Sequence, residues 1–426
     1  MTALDITLDA ASTLRITHAT LIDATGRRPV PDATLIADET GTIVYVGPEV
    51  DAPPLAASES VDAGGRTLLP GFFDCHVHLA MPSDESITTS ALLKDPTLAL
   101  LESTERLART LDAGVTTVRD LGGLTAGFRT AVRRGLISGP RLSLAVTVLG
   151  HTGGHVDSTL PSGIDASHGS GLVDTPDEAR VAVRRALRDG ADVIKICTSG
   201  GMASPSDDPD DEGLREAEVA AVVDEAARHR GVPVAAHAQG LAGILAALRG
   251  GVTSVEHGYG IDDEAIDLMA EKGVFLVPTL ATVYAGINKD KMAPWHYQKK
   301  TRWSGITKEN IAHAIDRRAT IALGTDAAIS PHGENLRELS YLVDLGMSPM
   351  DAIMAGTANA AQLLRVDDRL GTLEVGKLAD LILCDGDPLS DISALGDPAN
   401  ISLVAQQGVV RKNHLPAAVQ TPGNDR

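Results

Sequence analysis

A chain of 426 residues is longer than one ordinary domain, and with 43% hydrophobic residues it has ample material for a large core, which excludes wholesale disorder. Aromatic residues make up only 3%, so that core must be built from Ala, Val, Leu and Ile. A formal net charge of −20 argues against nucleic acid or an anionic membrane as a partner.

The N-terminus, MTALDITLDAAS, has no basic region followed by an apolar run, so no signal peptide is expected there, and no apolar stretch is long enough to span a bilayer. Three cysteines, Cys75, Cys197 and Cys384, lie far apart without a C-x-x-C pair, which suits a reducing cytoplasm. A homo-oligomer acting on a small molecule is the expected form.

From about Thr13 to Leu69 the chain reads as short strands and turns: LRITHATLID, ATLIADETGTIVYVG, then a loop rich in Ala and Pro. The end, GTLEVGKLADLILCDGDPL followed by ISLVAQQGVVRK, returns to strands, and the tail after His414 looks loose. The spacing predicts a small β-sandwich domain contributed by residues 1–69 and 369–426, with residues 70–368 inserted between its halves.

In the inserted region eight candidate strands follow one another: LLPGFFDCHVHL, VTTVRDL, RLSLAV, DVIKIC, VPVAAHA, TSVEHG, VFLVPTL and TIALGTDA. Amphipathic helical stretches separate most of them, such as TPDEARVAVRRALRDG before DVIKIC. Such alternation implies an α/β fold with a parallel sheet covered by helices. Eight strands fit a closed (β/α)8 TIM barrel, whose catalytic groups sit at the carboxyl ends of the strands. A doubly wound open sheet is the alternative, but it lacks a G-x-G-x-x-G turn where one is needed.

Several residues at those strand ends carry chemistry. His76 and His78 lie two apart on a strand, so their imidazoles share a face, half of a metal site. Lys195, in DVIKIC, stands on a strand buried on both faces. It is either a lysine that snorkels or pairs at the rim, or a neutralised amine that has taken up carbon dioxide as a carbamate. His237 ends AAHAQG and His257 ends SVEHG; each alone fits a satisfied core histidine, yet two at one rim on successive strands suit metal binding. Asp326 closes the last strand in LGTDA, where a helix N-cap is the ordinary alternative. Together the six offer nitrogen and oxygen ligands from five strands.

This set resembles the amidohydrolase superfamily in its binuclear, carbamylated-lysine form. Within it, GHTGGH (Gly150 to His155), IKICTSGGMASP and GTDAAISPHGENLREL look closest to prolidase-like dipeptidases and carboxypeptidases and to ochratoxin-type amidases. The resemblance implies two divalent metal ions, zinc first. His76, His78, the carbamate on Lys195 and Asp326 would hold one, and the carbamate, His237 and His257 the other. Asp326 would also shuttle the proton. The substrate expected is an amide whose leaving amine carries a free carboxylate, as in a dipeptide or N-acyl amino acid.

His151 and His155, in the Gly-rich loop after the third strand, and Tyr259, two residues past His257, are candidate substrate-binding residues, with ordinary loop or capping roles as the alternative. The stretch TVYAGINKDKMAPWHYQKKTRW, residues 282–303, reads either as a lid over the site or as an interface loop. Two other activities compete. One is a ring-opening hydrolase, lactonase or deaminase of the same superfamily, against which a bridging Lys195 argues. The other is a barrel that has lost catalysis, against which the complete ligand set argues.

Overall fold

A computed structural model describes residues 13–83, 90, 92–159, 162–163, 170–284, 290 and 292–415. Most of the tail after His414, and part of the 282–303 stretch, lie outside the described residues.

The barrel forms in the expected order. Its strands are β6 (Phe72–Val77), β7 (Val115–Asp120), β8 (Arg141–Leu144), β11 (Ile194–Cys197), β12 (Val234–Ala238), β13 (Ser254–His257) and β14 (Phe275–Val277), with residues 320–327 as the eighth. Pairing is parallel throughout, β6 to β7 to β8 and β11 to β12 to β13 to β14. Strands β7, β11 and β12 are completely buried, as parallel strands under helices require.

Two joins differ from a simple reading of the sequence. The turn before His151 is not all loop: Val148–Gly150 forms a short strand, β9, parallel to β11 and to β10 (Ser170–Leu172). The β8–β11 join is made instead by the Asp192 amide donating to the Leu144 carbonyl at 2.7 Å. The eighth strand makes isolated bridges rather than a continuous ladder. It still closes the barrel, because the Leu276 amide donates to Thr320 at 2.9 Å, Cys75 to Leu323 at 2.8 Å and Asp326 to His76 at 2.7 Å. Gly324 permits that closeness, since a Cβ there would sit 2.9 Å from His76 Cβ and 2.4 Å from a Val277 methyl.

Strands from both chain ends build one mixed sheet, in the order β17 (Val409–Asn413), β16 (Ile401–Gln406), β15 (Leu381–Cys384), β5 (Thr67–Pro70), β1 (Leu14–Leu21), β2 (Val30–Ala37) and β3 (Ile43–Pro48). A further strand, β4 (Glu59–Asp62), lies on β1. Leu14, Ile16, Leu35, Leu68, Leu381, Leu383 and Leu403 form its own buried core, separate from that of the barrel. The architecture is thus a TIM barrel with a small β domain drawn from both termini.

Candidate metal centre and active site

The carboxyl ends of the barrel strands bring the metal-ligand candidates together. Nε2 of His76 and of His78 lie 3.7 and 3.6 Å from Asp326 Oδ1, and the three residues form a cluster able to hold a cation. The ring of His257 is 5.0 Å from that of His76 and 4.5 Å from that of His237, centroid to centroid. Two of the ligand positions sit in strained backbone: His257 has φ 73° and Asp326 φ 55°, in the left-handed region that residues other than glycine seldom adopt. Such strain persists only where the surroundings over-determine it, and it clusters at functional sites.

Each imidazole has one nitrogen committed elsewhere. His76 donates from Nδ1 to Glu256 Oε2 at 2.9 Å, and His78 from Nδ1 to the Gly122 carbonyl at 3.0 Å, which leaves both Nε2 atoms facing Asp326. His237 uses Nε2, 3.1 Å from the Gly200 carbonyl, and so keeps Nδ1 free. His257 Nδ1 lies 2.7 Å from the Thr279 hydroxyl. From there one order of donors satisfies every group: His257 to Thr279 Oγ1, Thr279 to the Tyr259 hydroxyl at 3.1 Å, Tyr259 to Thr282 Oγ1 at 2.6 Å, and Thr282 back to the Thr279 carbonyl at 3.0 Å. That order of donors leaves the lone pair on His257 Nε2. Fixing the tautomer through the far nitrogen is how proteins orient imidazole ligands.

Burial sets the electrostatics. It pushes the imidazoles of His76, His237 and His257 far below the usual histidine range, and neighbouring positive charges add to this, Lys195 for His76 and His155 for His237. The three rings are therefore neutral, the state a metal ligand needs. Burial raises Asp326, opposed by His78 and Lys195.

Lys195 is 3% exposed and its Nζ has no hydrogen-bond partner among the described residues. Burial pushes its ammonium down, against the pull of Glu256 and Asp326. An orphaned amine in this position fits the implied metal group: converted to an anion it gains partners, and left as an ammonium it is desolvated for nothing.

Sequence reasoning missed the layer beneath. Glu256 is completely buried in the barrel interior, where Arg119 donates to it from Nη2 at 2.8 Å and Ser254 at 2.5 Å. The Arg119 guanidinium also donates to the Cys75 carbonyl, so one ion pair ties β7 and β13 to the strand carrying His76. Asp74 accepts from the amides of His76 and Thr325 at 3.1 Å each and from the Thr325 hydroxyl at 2.6 Å, clamping β6 to the eighth strand. The available signal was a charge on a strand otherwise apolar on both faces, the same signal that singled out Lys195.

Of the substrate-binding candidates, His155 joins the cluster and His151 does not. His155 lies against His237 and is held by Asp207, 3.1 Å from its Nδ1. His151 turns its Nδ1 to the Thr152 carbonyl, and none of its described contacts is with the metal ligands. Tyr259 is fully buried with its hydroxyl engaged as above. The helix Pro294–Asp316 lies over the loop after β11: Lys299 donates to the carbonyls of Gly201, Ser204 and Asp207, and Arg302 pairs with Asp208 and Asp210.

Comparison with known proteins agrees with this geometry. Residues 67–411 match the model of the amidohydrolase family. Ochratoxinase of Aspergillus niger is 34% identical over 423 residues, covering 93% of this chain and 86% of that protein. A crystal structure of a Xaa-Pro dipeptidase with methionine bound in the active site superposes with a TM-score of 0.86 at 32% identity, over 94% of this chain and 100% of that one. A prolidase complexed with N-methylphosphonate-L-proline gives 0.85 at 31%, again over 94% and 100%. The chain therefore belongs to the amidohydrolase family and is a hydrolase of amide bonds.

Proposed function

We propose that the enzyme is a binuclear metal-dependent hydrolase that cleaves an amide whose leaving amine bears a free carboxylate, as in a dipeptide or N-acyl amino acid. The observation that carries the metal part is Lys195, a buried amine without a partner among the described residues, on the strand between two groups of imidazoles. As a neutral amine it adds carbon dioxide, forming an N–C bond and releasing one proton, and the resulting carbamate offers two oxygens. His76, His78, Asp326 and the carbamate would hold one ion; the carbamate, His237 and His257 the other. Nitrogen and oxygen donors suit zinc, with manganese or cobalt able to substitute. When bound, the ions acidify water and polarise a carbonyl.

The residues of the chain do the rest. Asp326, raised by burial, takes the proton of the attacking water and returns it to the leaving nitrogen. Glu256 holds His76 and the hydroxyl chain through Tyr259 holds His257, so neither ring has to reorient during turnover. His155, held at Nδ1 by the Asp207 carboxylate, donates from Nε2 to an entering carboxylate as the doubly protonated ring, with Asp207 balancing its charge. Tyr259 becomes a second carboxylate donor by exchanging Thr282 for the substrate, and His151 is a contact at the outer rim. The molecules named in the two related structures, methionine and a proline phosphonate, both carry an amino-acid carboxylate, which supports this choice. Three unpaired, buried thiols support a cytoplasmic home. Exposed Leu93, Leu98 and Leu101 support a homo-oligomer.

The test is a pair of substrates, an N-acyl amino acid and its carboxamide, on metal-loaded enzyme. Losing a hydrogen bond to a charged group costs about 1.5–3 kcal/mol, so kcat/KM should fall roughly 10–150-fold on the carboxamide. Equal cleavage of both would reject carboxylate recognition. With the acid, Asp326→Asn should lower kcat by about 10²–10⁴ while metal remains bound.

A further inference from the structure

At the opposite end of the barrel from the metal ligands, a cavity of about 140 Å³ opens between the barrel and the terminal sheet. Arg141, the first residue of β8, lines it together with Leu111, Gly139, Gln406 and Arg411. Arg141 is 1% exposed, and one of its nitrogens, Nη1, pairs with Asp380. Its Nε and Nη2 have no hydrogen-bond partner among the described residues.

Buried arginine N–H groups are seldom left unmatched, because desolvating them without a partner costs free energy. Asp380 does not supply the missing acceptors: its Oδ2 faces Nη1, its Oδ1 accepts from the Gln407 amide at 2.8 Å, and neither oxygen reaches Nε or Nη2. Gln406 does not either: its side-chain nitrogen donates to the carbonyls of Thr116 and Gly139, and its oxygen makes no hydrogen bond to Arg141. Among the groups named, two guanidinium charges face one carboxylate, an excess of one positive charge. The free Nε and Nη2 form the edge of a guanidinium fork, the geometry that accepts two oxygens of one anion side by side.

We propose that this cavity is a binding site for a small oxyanion, held in the fork of buried Arg141 and closed from the solvent side by Arg411. It joins a barrel strand to the terminal sheet, so its occupant ties the two parts together. Phosphate and a simple carboxylate share the required chemistry. The site stands independently of the metal centre and of the amide substrate.

The experiment is a thermal melt of the metal-loaded, full-length enzyme titrated with inorganic phosphate, and separately with acetate, at ionic strength held constant with chloride. A ligand that binds only the folded state raises Tm in proportion to the logarithm of its concentration above Kd. Wild type should show such a logarithmic rise with at least one of the two anions, and which anion does so identifies the class. Arg141→Gln leaves Asp380 unpaired and threatens folding, so the informative variant is Arg411→Gln, at an exposed position. It should keep its amide-hydrolysing activity and weaken anion binding roughly 10-fold or more. No rise beyond that in chloride with either anion would mean that water alone fills the cavity, and the proposal fails. An equal rise in Arg411→Gln would place the anion elsewhere and overturn the proposal as well.

Discussion

The ring of His155 lies flat on the ring of His237, their centroids 4.2 Å apart and their planes 21° from parallel. The contact fastens the loop after β9 to the end of β12, and it depends on Asp207. Burial pushes the Asp207 carboxyl up, but the hydrogen bond and charge of His155 outweigh this and hold it below the usual carboxylate range. Lys299 secures the loop after β11, which carries Asp207, from above. Asp207→Asn should therefore let His155 swing away from its seat. The expected outcome is a kcat/KM lower by roughly 10–150-fold, expressed mainly in KM, with metal content unchanged. Steady-state kinetics and elemental analysis on the same preparation decide it, and an unaltered KM would separate His155 from substrate binding.

Glu256 pairs with His76 and Arg119 at once, and Ser254 is its third partner. Glu256→Gln leaves a buried guanidinium without its counter-charge, at a cost of about 3–5 kcal/mol. It also loosens His76, which should weaken metal affinity by roughly 10–100-fold. The two effects separate in the double variant Glu256→Gln with Arg119→Met, where denaturant melts should recover much of the stability while metal titration does not recover. Joint recovery would show that His76 is held by something else.

Lys195→Ala removes the only amine on the strand between the imidazoles. Metal content should fall from about two ions per chain, and activity with it. A short carboxylic acid added in solution should restore part of both, since it returns two oxygens to the vacated space. A variant as active and as metal-rich as wild type would exclude the bridging role.

Glu338 yields a pH prediction. It is completely buried, and burial lifts its carboxyl to about 8 despite donors from the Leu280 and Ala281 amides at 2.6 and 2.7 Å. In the folded state it keeps its proton between about pH 4.5 and 8, where the unfolded chain has lost it, so wild-type stability should fall as pH rises through that window. Glu338→Gln is uncharged throughout and escapes this loss. Its Tm deficit relative to wild type should be largest near pH 5 and shrink by pH 8.5, the change amounting to a few kcal/mol. A deficit that widens with pH would mean the carboxylate is the form the fold prefers.

Most of what places the candidate metal ligands was legible in the chain, because parallel barrel strands are short, apolar on both faces and separated by amphipathic helices. His76, His237, His257 and Asp326 stand out as polar residues at the ends of such runs. Glu256 and Arg119 do not, although they are equally anomalous, because their meaning lies in a pairing across 137 residues that no local pattern encodes. Strand β9 escapes for another reason. Three residues beside a glycine-rich turn have too little periodicity to announce a strand, and only pairing with β10 and β11 makes them one. Tyr259 reads from the sequence as a hydroxyl at the rim; nothing in its neighbourhood foretells that Thr279 and Thr282 engage it.

Strand β5 lies in the terminal sheet between β1 and β15, and β15 follows the whole barrel in the sequence. On a ribosome, β1 and β5 emerge early, and the second neighbour of β5 arrives only after the barrel has been translated. At about 5–20 residues per second that interval is about 15–60 s. Throughout it, the edge of TLLP lacks the β15 partner that pairs its amides and carbonyls in the finished fold, and its leucines, buried there, await that cover, a template for any other extended chain nearby. The most hazardous moment in the life of this protein thus falls during its synthesis, and cellular yield should respond to translation speed and chaperone supply more sharply than the stability of the finished molecule would suggest.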